Sequence, residues 1–284
     1  MAELTEKIGF IGAGNMAEAI IGAIIAADLA PAENTLISDI NPERIQRLQD
    51  TYEVLTAGSN KEVIDACDII FFAVKPQQMN TVLTNLAMEK AFIPRGRKKR
   101  FVSIAAGIQI AAFEEIIYDQ LTDTDKHQFP IIRVMPNTPA LVRSGTSAIC
   151  ASEFAAIEDL ETIRTILSAM GKVFDCREAD MNAFTALAGS GPAYGFYLIE
   201  AMAEAGRKLG IEKTDALQMT VSTLSGALQL LEESGAEPEA LRQKVTSPGG
   251  TTEAALSVME NHQVKSRIIE AVTAAAKRAA ELSE

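Results

Sequence analysis

A glycine-rich turn near the start of the chain has the residue types and spacing of an anion-binding site. Gly12-Ala13-Gly14-Asn15-Met16-Ala17 follows the apolar segment Lys7-Ile8-Gly9-Phe10-Ile11 and opens an Ala/Ile-rich segment. Gly12 permits a tight turn, Gly14 lets the backbone approach a pyrophosphate, and Ala17 still allows a helix to pack closely on a strand. In this strand–turn–helix context the pattern predicts a dinucleotide site. The alternative is a glycine-rich turn that holds no ligand.

An acidic residue stands where a ribose would be recognised. Asp39 ends the next predicted strand, 22 positions after Ala17. An acid at this place bonds the adenosine ribose hydroxyls and disfavours an added 2′-phosphate. Ile40 follows where an NADP-selective site often has arginine, but Arg44 and Arg47 on the next helix could still reach a phosphate. Asp39 therefore favours NADH without excluding NADPH, and its side chain could instead cap the following helix.

A second candidate site lies in the loop Ser247-Pro248-Gly249-Gly250-Thr251-Thr252. Its proline lacks an N–H group, while its two glycines let the backbone turn and expose theirs to solvent. The loop enters a helix that begins near Glu253, and a helix N-terminus with exposed amides is suited to binding a carboxylate. The hydroxyl of Thr252 could point to a substrate nitrogen or only cap the helix.

Alternating strands and helices position the first site. Short apolar runs end in turn residues, and Pro42 stands where the start of a helix tolerates proline. The run Ile69 to Val74 is typical of a central parallel strand buried on both faces. This alternation predicts an α/β fold with a mostly parallel sheet wrapped by helices. The predicted strands are Lys7 to Gly12, Thr35 to Asp39, Ile69 to Val74, Phe101 to Ala105 and Ile131 to Met135.

The second half of the chain predicts only helices, and these carry the second site. The last convincing strand is Lys172-Val173-Phe174-Asp175. The predicted helical segments are Met181 to Leu209, Thr214 to Glu233 and Glu253 to Leu282. The length of 284 residues suits two domains. We place the boundary at Glu178, which gives domains 1–177 and 178–284.

Charge and composition exclude several classes of partner. The chain has 38 acidic and 26 basic side chains, a net charge of −12 and a pI near 4.8. Nucleic acid is disfavoured, because phosphate binding needs a basic face. The longest uncharged apolar stretch near the start, Ala19 to Ala27, is far shorter than the roughly 20 residues of a membrane span. We therefore expect neither nucleic acid nor a membrane as a partner.

Four further features of the sequence have interpretations of their own. The basic run Arg95 to Arg100 is expected to be a solvated loop, with an anion or partner patch as the alternative. The odd number and wide spacing of the cysteines indicate a reducing compartment and hence the cytoplasm. Two histidines without a CxxC pattern argue against zinc, and no metal is expected. Gly189-Ser190-Gly191-Pro192 is either a packing kink or part of the lining of a nicotinamide site.

Several segments in one order carry a resemblance to a known family. They are Gly9 to Met16, Ala73-Val74-Lys75-Pro76-Gln77, Ser103-Ile104-Ala105-Ala106-Gly107, Arg133 to Pro139, Gly189 to Tyr194 and Val245 to Thr252. Together the segments resemble pyrroline-5-carboxylate reductases over essentially the whole chain. The Ser-Pro-Gly-Gly-Thr-Thr loop is the most specific of them.

The resemblance implies an activity and an assembly. The activity is NAD(P)H-dependent reduction of 1-pyrroline-5-carboxylate to L-proline, the last step of proline biosynthesis, and the family commonly uses NADPH. The implied architecture is a Rossmann domain followed by a helical dimerisation domain, in dimers that often assemble into decamers.

The resemblance also assigns residues. Asn60 resembles a contact on the adenosine side, Ala73 to Lys75 the loop under the middle of the cofactor, and Ala105 to Gly107 the nicotinamide floor. Thr252 resembles the residue that hydrogen-bonds the ring nitrogen, and Glu178 a substrate-side acid. The full expected cofactor set is Gly12, Ala13, Gly14, Asn15, Met16, Ser38, Asp39, Asn60, Ala73, Val74, Lys75, Pro76, Ala105, Ala106, Gly107 and Asn137. The expected substrate set is Glu178, Ser247, Gly249, Gly250, Thr251 and Thr252, of which Thr252 is the catalytic candidate.

The scarcity of acid–base residues agrees with an imine substrate. The segment after Gly191 has no lysine before Lys208, whereas related hydroxyacid dehydrogenases use such a lysine to move a hydroxyl proton. An imine nitrogen is basic enough to arrive protonated near neutral pH, so placement and desolvation are the main tasks. The competing hypotheses are another imine or hydroxyacid oxidoreductase of the same build, and a nucleotide-sensing protein without activity.

Overall fold

The computed structural model describes residues 4–119 and 121–283. They form two compact units. Unit 1 contains the chain up to Ser190 together with the residues from Ala275 onward, and unit 2 is Gly191–Ala274. The compact units thus divide after Ser190, and the domain boundary at Glu178 stays a prediction.

Unit 1 is built on one eight-stranded sheet. Its strands are β1 (Ile8–Ile11), β2 (Thr35–Ser38), β3 (Leu55–Thr56), β4 (Ile69–Phe72), β5 (Arg100–Ser103), β6 (Ile131–Met135), β7 (Gly145–Ala151) and β8 (Gly171–Asp175). Their order is β3-β2-β1-β4-β5-β6-β7-β8, and the pairs from β3 to β6 are parallel. This order is that of a Rossmann fold, with its topological switch point between β1 and β4. The predicted fold class is confirmed.

Two strands of this sheet escaped prediction. The first is β3, which has only two residues. The second is β7, which pairs antiparallel with β6 and parallel with β8. Its sequence, GTSAICA, begins with small and polar residues, so no apolar run marks it. Its burial comes from its two neighbouring strands.

The central strands bury both faces. Phe10 of β1 and Phe71 of β4 stack on one face of the sheet, with ring centroids 4.9 Å apart. The next residues along these strands, Ile11 and Phe72, belong to the hydrophobic cluster on the other face. This alternation explains why these strands are apolar without interruption.

Helices cover the sheet of unit 1. They are α1 (Asn15–Ala26), α2 (Pro42–Tyr52), α3 (Asn60–Ala66), α4 (Pro76–Met88), α5 (Ile110–Ile117), α6 (Asp123–Lys126), α7 (Ile157–Ser168) and α8 (Met181–Phe184). A π-helical segment, Thr185–Gly189, follows α8. A Cβ built on Gly189 would lie 2.9 Å from the Met135 methyl carbon, so this glycine allows close packing.

The basic run is exposed at Arg95, Arg97 and Lys98, as expected of a solvated loop, but its charges are paired within unit 1. Lys98 Nζ and Arg100 Nε donate to opposite oxygens of Asp159 at 2.9 and 2.8 Å. The Asp159 side chain is fully buried and also accepts from the Ala156 amide at 2.9 Å. Lys99 donates to backbone carbonyls at the end of α3, among them that of Cys67 at 2.9 Å. The carboxylates responsible lie far away in sequence, which is why local reasoning missed them.

Unit 2 is helical. Its helices are α9 (Gly191–Lys208), α10 (Lys213–Ser234), α11 (Pro238–Lys244), α12 (Thr251–Asn261) and α13 (Val264–Glu281), whose last turns belong to unit 1. The single helix predicted from Glu253 to Leu282 is in fact two. Gln263 adopts a φ of 54°, which ends the first before the second begins. Within the described ranges, no helix combines the length and apolar character needed to cross a membrane.

Candidate functional site

A cleft of about 600 Å³ opens in unit 1 beside the carboxyl ends of β1, β2 and β4. This is the switch point of the sheet, where doubly wound folds bind ligands. The cleft is lined by Gly12, Gly14, Ser38, Asp39, Ile40, Asn41, Arg44, Asn60, Ala73, Val74, Lys75, Gln77, Gln78, Thr81, Val82 and Asn85. Half of the sixteen predicted cofactor residues are therefore brought together here.

Gly12 and Gly14 differ in whether the fold itself requires glycine at that position. Gly12 has a φ of +101°, and a Cβ built on it would lie 2.7 Å from the carbonyl carbon of Ala73. The fold itself thus requires glycine at this position. Gly14 has a φ of −73°, and a Cβ built on it would meet nothing within 4 Å. No side chain caps the N-terminus of α1, so its first amides face the cleft region without a side-chain acceptor.

The carboxylate of Asp39 shapes the turn. Its Oδ2 accepts a hydrogen bond from the Ala13 amide at 2.6 Å, and its Oδ1 accepts one from the Asn41 amide at 2.8 Å. The cap of α2 is Asn41, whose side chain accepts from the Glu43 amide. The capping alternative for Asp39 is therefore wrong, and its carboxylate stays at the rim of the cleft.

Arg44 of α2 completes the same corner. Its Nε donates to the Ala13 carbonyl oxygen at 3.0 Å, and its Nη2 donates to Asn15 Oδ1 at 3.0 Å. Glu18 of α1 pairs with both Arg44 and Arg47, at 3.3 and 2.9 Å. A phosphate would therefore have to compete with Glu18 for these two arginines.

A short hydrogen-bond chain links two other predicted residues. Ser38 Oγ at the end of β2 donates to Asn60 Oδ1 at 2.7 Å. Asn60 is the first residue of α3, and Ser59 caps that helix by accepting from the Glu62 amide. The polar side chains of Ser38 and Asn60 are thereby fixed at the floor of the cleft.

The other expected cofactor residues lie outside the cleft lining. Among them, Gly107 has a φ of +80°, and a Cβ built on it would lie 2.8 Å from the carbonyl oxygen of Leu282. The Asn137 side chain is used within unit 1, since it donates to the Ala188 carbonyl and accepts from the Thr146 amide. The expected residues that do not line the cleft are Ala13, Asn15, Met16, Pro76, Ala105, Ala106, Gly107 and Asn137.

Glu178 is occupied by protein contacts. Its Oε1 accepts from the Ile110 amide at 2.7 Å, at the start of α5, and from Arg133 Nη1 at 3.0 Å. The Arg133 side chain is buried, so Glu178 supplies the counter-charge that burial of a guanidinium requires. These contacts fix the start of the helix that follows Ala105 to Gly107.

The loop Ser247 to Thr252 in unit 2 is organised differently from the expectation. The Gly249 amide donates to Glu253 Oε2 at 2.7 Å, and the Gly250 amide donates to the Ser247 carbonyl at 3.0 Å. The expectation that both glycine amides are exposed is therefore wrong. Gly250 precedes α12 and no side chain caps this helix. Within the described residues the Thr252 hydroxyl makes no hydrogen bond, so the capping alternative for Thr252 is also wrong.

Sequence reasoning missed one wall of the cleft. Gln77, Gln78, Thr81, Val82 and Asn85 belong to α4 and face the cleft at helical spacing. Pro76 marks the start of this helix, but polar positions at i, i+4 are equally typical of a solvated helix face, so the sequence offered no specific signal. No group of three or more His, Cys, Asp or Glu side chains that could hold a metal occurs among the described residues.

Comparison with known proteins places the chain in a family. The family model described as pyrroline-5-carboxylate reductase dimerisation matches residues 178–282. A second model, described as NADP oxidoreductase coenzyme F420-dependent, matches residues 7–107. The pyrroline-5-carboxylate reductase of Corynebacterium melassecola is 36% identical, covering 98% of both chains. That of Pseudomonas aeruginosa is 38% identical, covering 99% of this chain and 98% of the relative.

Solved structures agree with the sequence relatives. The pyrroline-5-carboxylate reductase of Coxiella burnetii has a TM-score of 0.87 at 33% identity, covering 99% of this chain and 100% of that one. The Plasmodium falciparum pyrroline carboxylate reductase with NADP bound has a TM-score of 0.86 at 27% identity, with full coverage of both chains. Near-complete coverage at 36 to 38% identity, joined to the Rossmann switch-point cleft, shows that the chain belongs to the pyrroline-5-carboxylate reductase family, NAD(P)H-dependent oxidoreductases that reduce 1-pyrroline-5-carboxylate to L-proline.

Proposed function

We propose that the cleft of unit 1 binds NADH in preference to NADPH, and that the loop Ser247 to Thr252 binds the carboxylate end of 1-pyrroline-5-carboxylate. The observation that carries the cofactor site is Gly14. Its missing side chain leaves open space at the uncapped start of α1, which suits a pyrophosphate. The cleft of about 600 Å³ has the size of a cofactor site.

The chemistry asks little acid–base work of the protein. A bound nicotinamide supplies the hydride that reduces the C=N bond of the cyclic imine. The chain's own residues then have to bind, orient and desolvate the substrate, because the iminium nitrogen arrives with its proton. The Thr252 hydroxyl is free of hydrogen bonds within the described residues, and we assign it the contact with the ring nitrogen. It can accept from the iminium N–H and stay with the amine that forms.

The preference for NADH rests on the charges at the corner of the cleft where Asp39 and Arg44 contact Ala13. We call this the ribose corner. Asp39 stands at the end of β2, and carboxylate oxygens keep further lone pairs after accepting the Ala13 and Asn41 amides. A ribose with both hydroxyls can donate to Asp39, whereas a 2′-phosphate would be repelled by it. Arg44 and Arg47, which could offset that repulsion, are already paired with Glu18.

The substrate role of the loop rests on the start of α12. The first N–H groups of a helix have no partner within it, and α12 has no side-chain cap. The amides of Thr251 and Thr252 are therefore the donors that we assign to the substrate carboxylate. Gly249 and Gly250 shape the loop instead, and Glu253 holds it through the Gly249 amide. Glu178 acts from unit 1 by fixing the start of α5.

One assay tests these roles together. Imine-dependent oxidation of NADH and NADPH is followed for the wild type, Thr252→Ala and Thr252→Ser. We expect Thr252→Ala to lower kcat/KM about tenfold or more, since one hydrogen bond to a charged group contributes about 1.5–3 kcal/mol. Thr252→Ser keeps the hydroxyl and is expected to retain most of the rate. An unchanged rate for Thr252→Ala removes Thr252 from the mechanism, and NADPH oxidised faster than NADH refutes the preference.

We also propose that domain 178–284 forms dimers that assemble further, with the decamer as the expected size, and that the protein works in the cytoplasm. Large apolar side chains on unit 2 are exposed, among them Phe196 (66%), Tyr197 (76%) and Ile268 (56%). Exposed apolar surface of this extent is typical of an association face. Light scattering coupled to size exclusion measures the subunit count. A monomer at micromolar concentration contradicts the proposal.

A further inference from the structure

The largely buried carboxylate of Glu18 pairs with two arginines at the ribose corner of the cleft. Glu18 Oε2 lies 3.3 Å from Arg44 Nη2, and Glu18 Oε1 lies 2.9 Å from Arg47 Nη2. The Glu18 side chain is only 12% exposed, whereas that of Arg47 is 61% exposed. One carboxylate thus holds two guanidinium groups on α2 against α1.

Only one of these three residues lines the cleft. Arg44 faces it together with Asp39 and Ile40. Its Nε and Nη2 are used by the Ala13 carbonyl, Asn15 and Glu18. Its Nη1 donates to none of the described residues. Arg44 is therefore close enough to meet a ligand, but its charge is already shared with Glu18.

The formal charge of the corner is balanced. Asp39 and Glu18 carry two negative charges, and Arg44 and Arg47 carry two positive ones. A ribose with free hydroxyls needs no net positive charge, whereas a phosphate monoester carries about −1.5 to −2 near neutral pH. A 2′-phosphate would have to compete with Glu18 for both arginines while lying close to Asp39.

We infer that Glu18 is a specificity-determining residue, which suppresses binding of a 2′-phosphate by holding the guanidinium groups of Arg44 and Arg47. The inference rests on the proposed cofactor cleft. Glu18 acts through the arginines and is a positioning residue. Its removal should free Arg47, whose side chain is 61% exposed, to move toward a phosphate held by Arg44.

A purely structural role predicts a different result. If Glu18 only fastens α1 to α2, its loss weakens the binding of both cofactors to the same degree. The ratio of the two dissociation constants separates the two roles, because it cancels any general loosening of the site. The same ratio for smaller probes, AMP and adenosine 2′,5′-bisphosphate, isolates the ribose corner from the rest of the cofactor.

The experiment is calorimetric titration of the full-length protein with NADH, NADPH and both probes. For Glu18→Gln, the ratio Kd(NADPH)/Kd(NADH) is expected to fall about tenfold, the effect of one added hydrogen bond to a charged group. The probe ratio should fall in parallel. The double variant Glu18→Gln/Arg47→Ala should lose most of this shift. Raised salt should diminish it, since the arginines are partly exposed.

Glu33→Gln is the matched control. Glu33 lies in the turn before β2, is exposed, and its removal changes the net charge by the same amount at a residue that pairs with neither arginine. We expect it to change the ratio by less than about twofold. If it shifts the ratio as much as Glu18→Gln does, long-range charge rather than Glu18 is responsible and the inference is overturned.

The remaining outcomes also decide. An unchanged ratio in a folded Glu18→Gln protein overturns the inference while leaving the cofactor site intact. Absence of binding of either cofactor by the wild type overturns the proposed site, and the inference with it. If Glu18→Gln does not fold, Glu18→Asp replaces it. Its shorter side chain cannot reach both arginines, so a smaller shift in the same direction is expected and no shift overturns the inference.

Discussion

Alanine at Gly14 should separate cofactor binding from folding. Gly14 is the N-cap of α1, with φ −73° and ψ −179°, a conformation that alanine adopts without strain. Alanine is a poorer N-cap than glycine by roughly 0.5–1 kcal/mol. Alanine also reduces the conformational freedom of the unfolded chain, which returns about 0.4–1 kcal/mol. The free energy of unfolding of Gly14→Ala should therefore stay within about 0.5 kcal/mol of the wild type.

The neighbouring glycine is the matched contrast. Gly12→Ala places a Cβ 2.7 Å from the Ala73 carbonyl carbon at a φ of +101°. Backbone strain of this kind costs about 1–3 kcal/mol, and overpacking adds about 1–3 kcal/mol. Gly12→Ala should therefore unfold about 2–6 kcal/mol more easily than the wild type.

Gly14→Ala should weaken the binding of NADH although it leaves the stability of the protein almost unchanged. In Gly14→Ala the new methyl group enters the open space beside the α1 amides, so Kd for NADH should rise at least about tenfold. Urea denaturation measures the stability of each variant, and calorimetric titration measures the binding of NADH. If Gly14→Ala binds NADH as tightly as the wild type, this turn does not hold the pyrophosphate. If Gly14→Ala is as unstable as Gly12→Ala, a Cβ at position 14 does not fit the fold, which contradicts the open space beside Gly14.

Three other predictions concern stability and reactivity. Asp159→Asn should lower the free energy of unfolding by about 3–5 kcal/mol at pH 7 in urea titrations, because it leaves the largely buried Arg100 without the carboxylate of Asp159. Burial alone would raise the pKa of Asp159, but the bonds from Lys98 and the Ala156 amide outweigh it and the pKa is lowered. The Asp159 contribution is thus present above its ordinary value of about 3.9 and is lost as the pH falls through the folded-state pKa, so wild type and variant should converge in acid. Thr35→Val should raise the melting temperature in calorimetry, since the buried Thr35 hydroxyl has no hydrogen-bond partner among the described residues. Burial raises the pKa of the Cys67 and Cys150 thiols to about 12, so both should resist a disulfide reagent at pH 8 until the protein is unfolded.

The parts of the fold that were predictable have local causes. The uninterrupted apolar run Ile69 to Phe72 indicates a central strand, because a strand that is buried on both faces is apolar at every position. The strand Gly145–Ala151 has no such pattern, since its pairing with β6 and β8 decides its burial. The ion pairs of the basic run Arg95 to Arg100 were not predictable for the same reason. Its partner Asp159 lies about 60 positions further along the chain, and only the folded sheet brings the two together.

The candidate site, too, was predictable from the sequence only in part. The glycine-rich turn was predictable because its spacing and its position between a strand and a helix are local, although the Ala73 backbone that a Cβ on Gly12 would meet lies far along the chain. The wall formed by α4 was not, because an exposed polar helix face carries no local sign of a ligand. The loop before α12 was predicted with the wrong donors. Glu253 sits one turn into the helix and takes the Gly249 amide, a contact that composition alone does not reveal.

The net charge of −12 bears on cofactor choice only through its local distribution. Asp39 holds the turn through two backbone amides and is also the expected reader of the ribose, so its replacement would disturb both tasks at once. Glu18 does not itself line the cleft and its carboxylate accepts from none of the turn amides, yet it pairs with both Arg44 and Arg47. A change in cofactor preference on replacing Glu18 would therefore report electrostatics at the ribose corner. A change on replacing Asp39 would mix electrostatics with the shape of the turn.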